Sequence, residues 1–324
     1  MTDQKIYETS AYGGENWIPR SATHKDEIGD LWASCGINSE WNTLRRVLLH
    51  PPGKELTQQS EPDIVQMFDQ IDLDLAQEQF NGIIEAYKAE GILIDYVNPT
   101  NLPSPNQIFS ADLFFMTPEG AIIGRPASRI RAGEEIWVSR RLADLGIPII
   151  KTIRGRGIFE GADGSWLNPN HVLLGRGLRT NDEAITQITL ILNEMSIEVT
   201  PIDLPIGTMH LMGILRFIDR NLVLVWPFRL AWKAVEKLRD TGYKVLFIPD
   251  EKESTIGGAL NFVTLGPKKI LMAEGNPITQ SFLENHGVMC KTVRVNELLK
   301  AAGGIGCLTG VIEREMYSDD ITKD

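Results

Sequence analysis

Cys307 stands in the run Ala302-Gly303-Gly304-Ile305-Gly306-Cys307-Leu308-Thr309, directly after a segment that reads as a helix. Glycines admit backbone conformations and close approaches closed to other residues, so a thiol in such a loop can be held open to a small molecule. A cation nearby would favour the thiolate, the form that attacks an electrophilic carbon. Free cysteine is equally at home as a small buried residue in a tight turn. His210 follows Gly207-Thr208-Met209 and opens an apolar stretch. Imidazole titrates near neutrality, which suits giving and then taking a proton, although a histidine at a strand edge also serves structural ends. The segment Phe159-Glu160-Gly161-Ala162-Asp163-Gly164 sets two carboxylates three residues apart in a glycine-rich turn. One could orient a histidine while the other grips a cationic substrate, or both could face water.

Asp112 lies in Pro105-Asn106-Gln107-Ile108-Phe109-Ser110-Ala111-Asp112-Leu113-Phe114-Phe115, a run that reads as a strand over residues 108–116. A carboxylate among such neighbours is costly to bury without a cation or hydrogen-bond donors. An edge-strand position facing water is the alternative. Arg125, Arg129, Arg179 and Arg216 fall beside or within expected strands. A guanidinium there can clamp a substrate carboxylate with two hydrogen bonds, although the commoner fate of the type is a solvated surface. His24, His50, His171 and His286 show no HxxxH spacing, so no zinc site is expected. There is no GxxxxGK[ST] loop and no GxGxxG between a strand and a helix, which demotes nucleotide binding.

These residues must be positioned by a scaffold, and the hydrophobic periodicity describes one. After a polar stretch over residues 1–40, expected to drape over the body as an extended arm, short apolar strands alternate with amphipathic helices. Strands are expected at 45–50, 92–97, 108–116, 121–124, 149–153, 171–175, 198–204, 211–218, 222–226, 244–248, 262–265, 269–272 and 291–295. Helices are expected at 63–90 with a break near Asp72, and at 134–145, 181–195, 231–240, 278–286 and 296–302. Several blocks read strand, strand, helix, strand. No low-complexity linker divides them, so residues 41–324 are expected to form one α/β body.

The chain has 324 residues with a formal charge of −11, three scattered cysteines without a CxxC pair, and no signal-peptide-like start. A soluble protein of a reducing, cytoplasmic compartment is expected. The acidic balance argues against nucleic acid as partner, and the longest apolar stretches are far too short to span a bilayer. The same charge favours a cationic substrate, although acidity often does no more than keep a surface soluble. A homodimer is the default expectation for the assembly.

Taken in order, these segments resemble the guanidino-group-modifying enzymes: arginine deiminase, dimethylarginine dimethylaminohydrolase and the amidinotransferases. Trp41 to Gly53 looks like the family's first strand, Asp112 like a substrate-gripping aspartate after a Pro-Asn start, and Glu160–Asp163 like its Glu-Gly-Gly-Asp signature. His210-Leu211 looks like its His-Leu step and Gly304–Thr309 like its C-terminal cysteine loop. The resemblance runs from about Trp41 to Cys307. It implies a five-bladed α/β propeller, the pentein fold, with the active site in the central channel. It also implies Cys307 as nucleophile, His210 as proton-transfer partner, Glu160 or Asp163 as its orienter, and Asp112 with Glu160 as guanidinium ligands. No metal or organic cofactor is implied.

Two departures narrow the expectation. Ala111-Asp112 stands where the family often has Arg-Asp, and Met212 stands where arginine deiminases carry a second guanidinium-binding aspartate. A missing acceptor weakens the fit to plain arginine, whose guanidinium presents five donors. Met212 suits a substituted, smaller or differently oriented guanidine. Arg125 and Arg179 look like the arginines that contact the amino-acid end of the substrate in the dimethylarginine hydrolases. The expected reaction is hydrolysis of a small-molecule guanidino compound through a covalent thiouronium intermediate. Transfer of the amidino group to an amine is the nearest alternative, and a non-catalytic propeller that binds a partner is the alternative from another class.

Overall fold

The computed structural model describes residues 3–317. Among these residues fifteen strands fall into five sheets of three, and the apolar blocks of the sequence explain their layout. β1 (Leu44–Leu49) is followed by the helix Leu73–Ala89 and by β2 (Leu93–Tyr96). β3 (Phe114–Thr117), β4 (Gly120–Ile123) and β5 (Ile149–Thr152) form the next sheet, then β6 (Gly164–Asn168), β7 (His171–Arg176) and β8 (Glu198–Asp203). β9 (Leu215–Asp219), β10 (Leu222–Val225) and β11 (Lys244–Phe247) make the fourth, and β12 (Val263–Gly266), β13 (Lys269–Ala273) and β14 (Met289–Val293) the fifth. The last strand, β15 (Gly310–Arg314), pairs with β1 and completes the first sheet.

Each sheet repeats one pattern, an antiparallel pair, a crossover helix, and a third strand parallel to the second; in four sheets the antiparallel pair is a hairpin, and in the first it joins β15 to β1. Phe114 pairs with Ile123 in the hairpin β3–β4, for example, and Ile123 with Thr152 in the parallel pair β4–β5. A parallel pair cannot be joined by a tight turn, which is why a helix such as Glu134–Asp144 intervenes. The middle strands are covered on both faces and therefore read as continuous apolar runs, as in Leu222-Val223-Leu224-Val225. The outer strands β5, β8, β11 and β14 are partly exposed. Side-chain caps set the helix starts: Asp72 accepts from the Leu75 amide at 3.1 Å, and Asn181 from the Ala184 amide at 3.1 Å.

The sheets form a ring through their first strands. β15 packs on β3, and the turn Gly161–Asp163 before β6 packs on β3. β6 meets the turn Leu211–Gly213 before β9, β9 meets β12, and β12 meets β1. The blade that begins at the N-terminal side with β1 is thus closed by the C-terminal β15, and the buried side chains of each cluster bridge neighbouring blades. The five-bladed α/β propeller implied by the resemblance is the observed architecture.

Several expectations require correction. The run 108–116 is not one strand: two 3-10 turns, Pro105–Ile108 and Ser110–Asp112, precede β3, so Asp112 sits in a turn and not within a strand. Likewise 211–218 opens with the turn Leu211–Gly213, and 296–302 contains a single 3-10 turn, Leu298–Ala301. Apolar residues fill buried turns as readily as strands, and short runs do not distinguish them. β6 and β15 were not anticipated, because Gly164, Ser165 and Asn168 break the apolar pattern of one and the other lies beyond the cysteine loop. In the first forty residues, short 3-10 turns lead to Gly36, whose amide donates to the Ile312 carbonyl at 2.9 Å. Among the described residues no helix is long and apolar enough to cross a membrane.

Ile312 on β15 and Leu224 on β10 are fully buried in different clusters. Ile312→Ala and Leu224→Ala should each lower the unfolding free energy by about 2–5 kcal/mol. Because the ring is closed, both losses should appear in one cooperative urea transition followed by far-UV circular dichroism and tryptophan fluorescence. Two resolved transitions would show that blades unfold separately.

Candidate active site

Each blade delivers one loop to the axis, always the segment just before its first strand. Asp112 precedes β3, Glu160 and Asp163 precede β6, His210 and Met212 precede β9, Asn261 precedes β12, and Cys307 precedes β15. Asp112, Glu160 and His210, which lie 195, 147 and 97 residues before Cys307, become its neighbours through this repetition.

His210 is buried, and its Nε2 lies 2.7 Å from Glu160 Oε2. Its Nδ1 is left facing Asp112, with Oδ1 at 3.9 Å. Asp163 does not hold the ring. Its Oδ1 accepts from the Leu211 amide at 3.0 Å and its Oδ2 from Thr180 Oγ1 at 2.6 Å, so it fixes the turn that carries His210. Arg131 is buried at the centre of the acids: Nη1 donates to Asp112 Oδ2 at 2.8 Å and to Glu160 Oε2 at 3.1 Å, and Nε to Glu134 Oε2 at 2.9 Å. Arg179 Nη1 donates to Glu160 Oε1 at 3.1 Å. One acceptor is left over: Asp112 Oδ1 is buried and has no hydrogen-bond partner.

Asn261 grips the cysteine loop from the facing blade. Its Nδ2 donates to Cys307 Sγ at 3.0 Å, and its Oδ1 accepts from the Cys307 amide at 3.1 Å. A Cβ at Gly306 would lie 2.8 Å from Asn261 Oδ1 and 3.3 Å from Met212 Sδ, which is why glycine precedes the thiol. A cavity of about 620 Å³ opens over Cys307, His210, Met212 and Asn261, and a narrow recess beside Cys307 is lined by Asp112, Arg131 and Arg179.

The charges of these groups shape one another. Burial opposes the Glu160 carboxylate, but the His210 hydrogen bond and the charges of His210, Arg131 and Arg179 hold it well below the usual range. Burial likewise opposes the His210 imidazolium, yet Asp112, the Glu160 hydrogen bond and Asp163 push it up to about 9. Burial pushes Asp163 up to about 6 and Glu134 up to about 7. Burial, and then the nearby Asp112, also raises the Cys307 thiol, against a smaller opposing effect of the Asn261 hydrogen bond.

No family model matches the chain. The dimethylarginine dimethylaminohydrolase of Streptomyces coelicolor is 27 % identical over 250 residues, 77 % of this chain and 90 % of that protein. The chain is similar to guanidino-group-modifying enzymes along most of its length, and an arginine deiminase of Limosilactobacillus reuteri is 23 % identical over 66 % of this chain and 62 % of that protein. The pentein fold agrees: DDAH from Pseudomonas aeruginosa, complexed with citrulline, superposes with a TM-score of 0.69 at 23 % identity, over 84 % of this chain and 100 % of that one. An amidinotransferase from Microseira wollei, from the saxitoxin pathway, gives 0.73 at 15 % identity, over 87 % and 97 %.

Within this pentein, Cys307, His210, Glu160, Asp112 and Met212 converge on the axis, whereas Asp163 stands one layer behind. Arg179 is turned inward onto Glu160, and Arg125 is exposed, its Nη1 donating to the Gly157 carbonyl at 3.0 Å. Arg216 is half-buried and donates to the Phe262 carbonyl. Asp112, Glu160 and His210 bring ligand atoms within 4.8 Å of one another. Arg131 and Arg179 already engage both carboxylates, so this trio is arranged around guanidinium groups. Sequence reading passed over Arg131, Glu134 and Asn261. Only the repeat, with one loop before each first strand, signals Asn261, and nothing in the local sequence sets Arg131 apart from Arg129.

Arg131→Met removes the charge but keeps most of the volume, leaving Asp112, Glu134 and Glu160 buried with fewer counter-charges. We expect a loss of about 3–5 kcal/mol in unfolding free energy, read by urea denaturation. A loss below about 1 kcal/mol would show that the acids are protonated or hydrated without it.

Proposed function

We propose that this protein cleaves a C–N bond of a guanidino compound through Cys307, with hydrolysis as the outcome. The observation that carries the reading is the unpartnered Asp112 Oδ1, buried in the recess that Cys307 also lines. An orphaned buried carboxylate oxygen is costly, and a planar N–H donor beside the thiol is the group that would satisfy it. One free carboxylate oxygen, with Met212 lining the cavity over the thiol, suits a guanidine that needs a single acidic contact and tolerates an apolar neighbour.

The chemistry follows from the residue types. A bound guanidinium brings positive charge next to a thiol that burial and Asp112 hold protonated, and so favours the thiolate. The thiolate attacks the guanidinium carbon, forming a C–S bond and a tetrahedral adduct. His210, with Nε2 held by Glu160, protonates the departing nitrogen from Nδ1, and the C–N bond breaks to leave an amidino-thioether. A water then loses a proton to Nδ1 and adds to the same carbon. Collapse breaks the C–S bond, releasing a urea-type product and the thiolate. Asp163 keeps the His210–Leu211 turn in place, and Asn261 orients the sulfur.

The cavity of about 620 Å³ beside the thiol has room for an acceptor amine, which supports amidino transfer as the second reading. Mass-spectrometric product analysis with guanidines in the presence and absence of glycine or ornithine separates the two. A free amine with a urea-type product identifies the hydrolase, and a new guanidino compound the transferase. Cys307→Ala should abolish either reaction while leaving the melting temperature within a few degrees; turnover by a clean preparation of that variant would sink the assignment.

The pH profile follows from the two titrating groups. Below about 9, where His210 is protonated, the free protein holds a thiol and an imidazolium. The reactive thiolate–imidazolium pair therefore grows about tenfold per pH unit as pH rises toward 9, and is lost again when the thiol and imidazolium have both deprotonated. We expect kcat/KM to climb through neutrality to a maximum near or above pH 9. A plateau already reached at pH 6 would mean that the thiolate is preformed.

A further inference from the structure

Resting on that reading, we propose that Arg229 binds an anionic end of the substrate, and that the preferred guanidine carries a carboxylate but no free ammonium group. The arginines that the family resemblance assigns to the amino-acid end are not available in the cavity: Arg179 is taken up by Glu160, and Arg125 lies outside, bonded to the Gly157 carbonyl. The cavity that opens over Cys307 instead carries two other cations, Arg229 and Lys300. Lys300 is already paired with Glu297 at 2.9 Å. Arg229 is stacked over Trp226, its Cζ 4.5 Å from the ring centroid, and donates one hydrogen bond from Nη1 to the Gly207 carbonyl at 2.7 Å. Among the described residues no carboxylate lies within salt-bridge distance of it. Its guanidinium is thus pre-oriented on an aromatic face with donors unspent, the arrangement that suits a bidentate carboxylate.

The rest of the wall argues the same way. Among the described residues that line this cavity there is no aspartate or glutamate, so an α-ammonium group would find no counter-charge there and would face Arg229 and Lys300. Trp226, Ile256, Leu260 and Leu299 supply apolar surface in the same cavity as the thiol and the cations, which matches a methylene chain. An ω-guanidino acid, or an arginine whose α-amino group is acylated, meets all three conditions.

The test compares kcat/KM of the intact protein for 4-guanidinobutyrate, Nα-acetylarginine, arginine and agmatine. The first two should exceed arginine and agmatine by about tenfold or more, the effect of one charged hydrogen-bonded contact. In Arg229→Gln the ratio of 4-guanidinobutyrate to agmatine should collapse by about tenfold or more, and Arg229→Lys should restore part of it, a change in preference that a merely structural role would not produce. Arginine or agmatine preferred by the unaltered protein, or an unchanged ratio in Arg229→Gln, would overturn the proposal while leaving guanidine cleavage standing. No cleavage of any of the four compounds would remove the proposed function and this inference with it.

Discussion

The interaction on which the site depends is the buried contact between Arg131 and the carboxylates of Asp112, Glu134 and Glu160. Three acids drawn to a dry axis would otherwise repel one another and take up protons. The guanidinium of Arg131, with Arg179 at Glu160 and the imidazolium of His210, keeps Glu160 ionised where burial alone would neutralise it. Glu160 in turn holds the His210 ring at Nε2 and leaves Nδ1 turned toward Asp112. The arrangement leaves one carboxylate oxygen, Asp112 Oδ1, without a donor, and that single vacancy distinguishes a receptive site from a closed ion-pair cluster.

Cys307 sits in an environment that disfavours its reactive form. Burial and Asp112 raise the thiol, and the Asn261 hydrogen bond only partly compensates. In the proposed reaction a cationic substrate would reverse the balance, by bringing its charge into the recess lined by both the carboxylate and the sulfur. Under that proposal, coupling the charge of the substrate to the formation of the nucleophile would keep the thiol quiet until the reacting carbon is in place. It would also discriminate against neutral molecules of similar shape, which bring no charge to stabilise the thiolate.

The propeller makes this precise because every contributing loop enters the first strand of a blade, and those strands pack on one another around the ring. Loops anchored in this way are short and buried, so Asp163 can spend both oxygens on holding the turn after His210, and Asn261 can clamp the cysteine loop by side chain and backbone at once. Closing the ring with β15 places the cysteine loop, near the end of the chain, against Asn261 of the adjacent blade.

The types and order of Cys307, His210, Glu160, Asp163 and Asp112, and the alternation of strands with helices, were legible in the sequence, because periodicity and glycine-rich turns are local properties. The break at Asp72 was legible for the same reason: a side-chain cap needs only its neighbouring residues. Local patterning did not separate buried turns from strands at Asp112 and Leu211, since burial makes both apolar. It was also silent on which arginines face inward. Arg129 and Arg131 are two residues apart in similar surroundings, yet only the latter reaches three carboxylates, those of Asp112 and Glu160 from other parts of the chain and that of nearby Glu134. Pairing between charges distant in sequence depends on where five blades bring their loops together, and burial then decides how strongly those charges shift one another.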